Sequence, residues 1–278
     1  MIVKMFLINT FIDGLFSGGQ ALVAILRRRV QANLLQTLAW ELKVPVTAYL
    51  LPYQEGFAAR YFGATGELHW GGYAALAAAK ALYLTGLAPS DQPLRLEGLS
   101  GSALVRPSAD LEGGLGLVLP LVPAALTPPG WSQNLPDGLE QDEILDFLSV
   151  GPHRLICLAA PPKGTPHVPA SALTTSESRL IVSWPQGEAG YELRCFKVGG
   201  EEAALPLDQN FHATLAPFWG ERLGRNRLDI GHRAFRPAQL RAVLTDSEVE
   251  LSGRLQIVYK AVPVLDELAE DESINAWR

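Results

Sequence analysis

Cysteine is scarce in this chain of 278 residues: Cys157 and Cys195 stand far apart, and no Cys-x-x-Cys pair exists. That excludes a disulfide framework and a thiolate zinc site, and it suits reduced thiols in a cytoplasmic protein. The five histidines (His69, His153, His167, His212, His232) show no metal-ligand spacing, so no metal is expected. Gly18-Gly19 and Gly113-Gly114 are followed by no Gly-Lys-Ser/Thr, and no Gly-x-Gly-x-x-Gly follows a strand. Phosphate-loop and dinucleotide chemistry are therefore not indicated. A Gly-x-Ser-x-Gly elbow is also missing. Basic excess is lacking too: net charge is −6, which argues against nucleic acid as a partner. Met1–Thr10 has no long apolar core with a small-residue cleavage site and reads as a first strand. The longest apolar run, Tyr73–Leu84, is broken by Lys80 and is too short to span a bilayer.

What is present is a chain 48% hydrophobic and 19% charged, able to bury a sizeable core. The most distinctive stretch is Glu67–Ala79, ELHWGGYAALAAA. A helix apolar on every face must be wrapped by its domain, because it has no polar face for water. Its N-terminus, opening at Gly71-Gly72, carries free N–H groups and the positive end of the macrodipole, a setting for a small carboxylate. Ahead of it, Val3–Thr10 and Val44–Leu51 read as strands, with Pro45 at an entrance or edge. Leu34, Leu35, Leu38 and Leu42 carry the spacing of an amphipathic helix over Val30–Leu42. Ala58–Phe62 is a further strand, and Leu94–Glu97 with Ala103–Pro107 form a meander.

The proline-rich stretch Pro123–Pro136 reads as a linker, dividing the chain into halves 1–128 and 129–278, the final segment packing back on the first half. In the second half Gln141–Leu148 is expected as a short helix. Arg154–Ala159, Ser178–Trp184 and Tyr191–Val198 are expected as strands, His212–Gly224 as a helix, and Gln239–Leu244, Glu248–Leu251 and Leu255–Tyr259 as closing strands. An internal echo supports two like halves. Arg60-Tyr61-Phe62 is followed by Glu67, and Arg194-Cys195-Phe196 by Glu201, each glutamate seven residues after its arginine. Each unit then leads into a helix, through Ala75-Leu76-Ala77 and Thr214-Leu215-Ala216. Two such halves would turn their helix N-termini toward one cleft.

Several motifs together resemble the phenazine-biosynthesis PhzF-like isomerases, over nearly the whole chain. Asn9-Thr10-Phe11 sits at the family's Asp-x-Phe, and Gly18-Gly19-Gln20-Ala21 at its Gly-Asn-Pro-Ala. Gly72-Tyr73-Ala74-Ala75-Leu76-Ala77 sits at Gly-His-Ala-Thr-Leu-Ala, and Leu205 to His212 at Asp-Pro-Val-Thr-Gly-Ser-Ala-His. The resemblance implies an α/β (α+β) fold of the diaminopimelate-epimerase type. Such a fold has two pseudo-symmetric domains, each a curved, mostly antiparallel sheet or barrel wrapped around a central helix. It further implies cofactor-independent proton transfer on a small carboxylate-bearing metabolite, and a homodimer.

The family's proton carriers are replaced at the matching positions. Its acid–base glutamate falls on Val46, its histidine on Tyr73, its aspartate on Leu205 and its serine on Asn210. Valine and leucine carry no proton at any pH, and general acid–base catalysis needs a titratable group. Candidate catalytic residues are therefore Asp208, Tyr73 and His212. Asp208 reads either as a displaced base or as a helix N-cap, for which Asp is well suited. Tyr73 reads either as a proton donor or as a packed ring with one hydrogen bond. His212 is either catalytic or a satisfied core histidine. Candidate substrate-binding groups are Gly71, Gly72, Gln209, Asn210 and His69. The alternative is a catalytically inactive relative that binds a small metabolite or a protein partner.

Overall fold

The computed structural model describes residues 2–53, 56–126, 135–168, 179–197, 201–203 and 210–262. The chain divides into two compact units, Met1–Val118 with Ser252–Arg278, and Leu119–Leu251, against an expected division at 128/129. Of the expected linker, residues 127–134 lie outside the described residues.

The first unit contains strands β1 (Ile2–Thr10), β2 (Gly19–Leu26), β3 (Val46–Tyr53), β4 (Gly56–Phe62), β5 (Glu67–Leu68), β6 (Leu94–Gly98), β7 (Gly101–Pro107) and β8 (Leu115–Pro120). Helices α1 (Ala32–Leu42) and α2 (Tyr73–Thr85) lie between them. A late strand, Leu255–Ala261, returns to pair antiparallel with β1. From there the order runs β1, β2, β3, β4, β6, β7, β8, with β2–β3 and β4–β6 parallel and the other pairs antiparallel. Helix α2 touches β1, β2, β3 and β7, so this sheet wraps it. Tyr73 through Ala79, Ala81 and Leu82 are all buried, as an apolar helix demands. The run of alanines lets the strands approach its backbone closely. Gly86 ends the helix in the left-handed conformation at φ 70, its N–H returning to the Leu82 and Tyr83 carbonyls.

Strand alternation separates two faces. Leu22, Ala24, Leu26, Tyr49, Leu51, Ala58 and Phe62 pack with Leu35 and Ala39 of α1 on the side away from α2. There the Tyr49 hydroxyl donates to the Leu35 carbonyl at 2.8 Å.

The second unit contains β9 (Ala125–Leu126), β10 (Ile144–Val150), β11 (His153–Leu158), β12 (Leu180–Gln186), β13 (Gly190–Phe196), α3 (His212–Leu223), β14 (Arg227–His232) and β15 (Ala238–Leu244). Strand β16 (Glu248–Gly253) leads out of it into β17, the returning Leu255–Ala261. The order β9 to β15 follows the chain, with β11–β12 and β13–β14 parallel. Helix α3 packs on β13, β14 and β15. Trp219 stacks on Tyr191 with centroids 6.0 Å apart, and its indole donates to Ser183 Oγ at 3.2 Å. Pro217 lies inside α3 and has no N–H for the Ala213 carbonyl four residues back. Val122 supplies the missing donor, its N–H meeting Ala213 O at 3.1 Å, while Thr214 Oγ1 donates to Val122 O at 2.7 Å.

The pairing pattern repeats: an antiparallel pair, a parallel step, a hairpin, a helix, a parallel step and another hairpin. The echo around the arginines is part of it, with one correction. In the first unit Phe62 pairs with Glu67, and Arg60 holds Glu67 at 2.6 Å. In the second, Phe196 pairs with Glu202, and Arg194 meets Glu202 at 3.3 Å; Glu202, not Glu201, occupies the equivalent place. The second unit has one more residue in this connection, which equal spacing in sequence conceals. A second correction concerns Gln141–Leu148. Only Gln141–Glu143 form a helical turn, of the 3-10 kind, and Ile144–Val150 is a strand zipped to β11. Its apolar residues satisfy either period over so short a run, and the neighbouring strand decides. Strands β8 and β14, and the two-residue strands β5 and β9, were not expected.

Candidate functional site

In the first unit the loop after β1 folds back on itself. Ser17 Oγ accepts from Asp13 N at 2.8 Å and donates to Gly14 O at 2.9 Å. Gly18 follows at φ 73, where a side chain would strike the Thr10 carbonyl. Gly19 then lies flat against Tyr73: a β-carbon there would come within 2.8 Å of the ring. Gly19 thus makes room for Tyr73. Tyr73 is buried, and its hydroxyl donates to the Gln20 carbonyl at 3.3 Å. Beside it Gln20 Nε2 donates to Asn9 Oδ1 at 3.5 Å, and Asn9 Nδ2 to Gln256 Oε1 at 3.4 Å. Buried Asn9 is thereby held in a chain of neutral amides. Val46, paired with Ala21, is fully buried. Replacing Tyr73 with Phe removes the long hydrogen bond to Gln20, and stability is expected to fall by about 1 kcal/mol in urea titrations.

Gly71 and Gly72 open α2, and both are buried. Gly72 adopts φ 49, ψ −130, a conformation that suits glycine. Gly71 lies under the Tyr61 ring so closely that a β-carbon would overlap it. The turn donates Ala74 N to Gly71 O at 2.9 Å and Ala75 N to Gly72 O at 3.1 Å. His69 is exposed. Two groups here went unnoticed in sequence: the Tyr61 hydroxyl and the Trp70 indole N–H are both buried without a hydrogen-bond partner. Trp70 adjoins the glycine pair in sequence, whereas Tyr61 reaches it only in the fold. Burial pushes the Tyr61 hydroxyl well above the usual phenol range, so it stays protonated and is a donor.

In the second unit His212 begins α3 and is buried. Its Nδ1 lies 2.6 Å from the Tyr191 hydroxyl, and its ring lies 4.2 Å from that of Phe211. Burial, with His232 nearby, lowers its pKa to about 3, so the imidazole is neutral at physiological pH. His232, at the end of β14, is 1% exposed and has no partner on either ring nitrogen. Burial lowers its pKa to about 4. An unpaired buried donor or acceptor costs about 1–3 kcal/mol, so this ring is an expense to the fold. Asn210 stands before α3 and receives Ala213 N on its carbonyl at 2.9 Å. Asp208 and Gln209 lie outside the described residues, as does Leu205.

Both cysteines are free and buried, and burial pushes each thiol up to about 12, which makes them unreactive. Among the described residues no group of three His, Cys, Asp or Glu could hold a metal ion, and no helix is long and apolar enough to cross a membrane.

The comparisons agree with this architecture. The family described as phenazine biosynthesis-like protein matches residues 8–189. An uncharacterised isomerase of Pseudomonas aeruginosa is 28% identical over 91% of this chain and 96% of its own length. Another, of Halalkalibacterium halodurans, is 24% identical over 94% of this chain and 98% of its own. The solved PhzC/PhzF protein of Clostridium difficile superposes with a TM-score of 0.79 at 19% identity, covering 95% of this chain and all of that one. With two sheet-wrapped helices, glycine-opened at the first, and a family match spanning both units, this chain belongs to the phenazine biosynthesis-like, or PhzF-like, isomerase family.

Proposed function

We propose that this chain binds a small carboxylate metabolite at its core-helix N-termini and moves a proton on it without a cofactor, through a site rearranged from the family pattern. The observation that carries this reading is the start of α2. An apolar helix, buried from Tyr73 to Ala79, opens on two buried glycines and presents the positive end of its dipole there. The PhzF-like resemblance supplies the proton transfer and the absence of a cofactor. Of the candidate proton carriers, His212 is held neutral and tied to Tyr191, which suits a positioning role. Tyr73 packs against Gly19 and bonds the Gln20 carbonyl. Asp208 is then the remaining carboxylate candidate for the base.

The test is hydrogen exchange: the protein incubated in D₂O with a panel of small carboxylates is expected to place deuterium on carbon, and Asp208→Asn to stop it. A panel that takes up no deuterium would sink the enzyme reading. A second reading, binding without turnover, is favoured by the fully buried Val46 where the resemblance puts the acid–base glutamate. It predicts ligands that raise the melting temperature with no deuterium incorporated.

A further inference from the structure

Two unpartnered polar groups belong to residues at the start of α2. Tyr61 sits on β4, in register with Ala48 of β3 and Leu68 of β5. Its neighbours Arg60 and Phe62 point to the opposite side of the strand, Phe62 into the α1-side core. Tyr61 itself covers Gly71, the residue before the helix cap, with the hydroxyl-bearing end of its ring closest. The side chain is 4% exposed, and its hydroxyl has no partner. Trp70, next to Gly71 in the chain, carries a second buried and unpartnered polar atom, its indole nitrogen.

The chemistry of these two groups restricts what can satisfy them. An indole N–H donates only, and a protonated phenol at the positive end of a helix has its hydrogen left to give. Two such donors, at the positive end of a helix dipole, want a group rich in acceptors and carrying negative charge. A carboxylate fits, with two oxygens and several lone pairs; an ammonium or other donor group is refused.

We propose that Tyr61 and Trp70 are ligand-recognition residues, donating through the phenolic hydroxyl and the indole N–H to a carboxylate seated at the N-terminus of α2. This rests on the small-carboxylate reading above and deepens it. Recognition by neutral donors takes the place of the histidine that the family carries where Tyr73 stands. It selects carboxylates over amines without placing a cation in the site.

Acetate serves as the probe, with methylammonium chloride and sodium chloride as controls at matched ionic strength. Acetate is expected to raise the melting temperature and to shift the Trp70 indole N–H resonance, assigned by its loss in Trp70→Phe. Methylammonium is expected to do neither. Tyr61→Phe removes only the unpartnered oxygen, so it keeps the fold, and it should weaken acetate binding about tenfold or more. Loss of the acetate response in Tyr61→Phe, with the melting temperature unchanged or raised, supports the assignment. An unmoved indole resonance, an equal response in Tyr61→Phe, or an equal response to sodium chloride overturns it, the last marking general anion screening. The outcome is independent of turnover. Acetate recognition with no deuterium exchange would leave this site standing and remove the isomerase reading. Exchange with an unmoved indole would do the reverse.

Discussion

Lowering the pH from 7 to 4 is expected to cost this fold about 6 kcal/mol through two imidazoles alone. In the unfolded chain His212 and His232 titrate near 6.5; in the fold burial lowers them to about 3 and about 4. Protons therefore bind the unfolded chain first. The fold has its full stability above pH 6.5 and loses it as pH falls toward the folded values, where the loss levels off. At about 1.36 kcal/mol per pH unit, each ring contributes about 3 kcal/mol by pH 4. Small domains are stable by only about 5–15 kcal/mol, so acid unfolding near pH 4 is expected. Urea midpoints measured from pH 8 to pH 4 check this. His232→Gln should flatten the profile by about half, and a slope unchanged in that variant would show that other groups drive the loss.

Removing the carboxylate of Glu67 is the second large effect. Arg60 and Glu67 form a two-bond pair, Nε to Oε1 and Nη2 to Oε2, each at 2.6 Å, with side chains only 6% and 21% exposed. Deleting one partner of a buried pair takes the counter-ion from a poorly solvated charge and destabilises by about 3–5 kcal/mol. The partial exposure of Glu67 places Glu67→Ala near the lower end, about 3 kcal/mol. Exchanging both partners, in Arg60→Met with Glu67→Leu, should recover most of it. The equivalent pair, Arg194 with Glu202, is more open at 26% and 30% and longer at 3.3 Å, so Glu202→Ala should cost about 1 kcal/mol or less. Equal losses at the two glutamates would show that burial does not separate them.

Much of this was legible in the chain. The wrapped helix at Tyr73–Thr85 follows from its composition, since alanine and leucine all round leave nothing for water to hydrate. Pro45 stands directly before β3, where a residue without an N–H takes nothing from the ladder. The strand Ile144–Val150 was not legible: the apolar residues of so short a segment satisfy either period, and its partner β11 decides. Nor was the shift from Glu201 to Glu202, because the two connections differ by one residue in length and equal spacing along the chain hides that.

The sequence by itself determined the plan: a duplicated α+β chain of the PhzF-like family, with each half built on a central helix, the first of them opened by glycines, and with valine and tyrosine at two of the family's polar positions. Local composition suffices for that, since apolar periodicity and glycine placement act through near neighbours. Only the tertiary structure decided which polar groups are spent and which are left over. Tyr73 and His212 are engaged by Gln20 and Tyr191, while Tyr61, Trp70 and His232 are buried with their bonding capacity unused. Partnership of a buried polar atom depends on what the fold brings within about 3 Å of it, and residues distant in sequence set that.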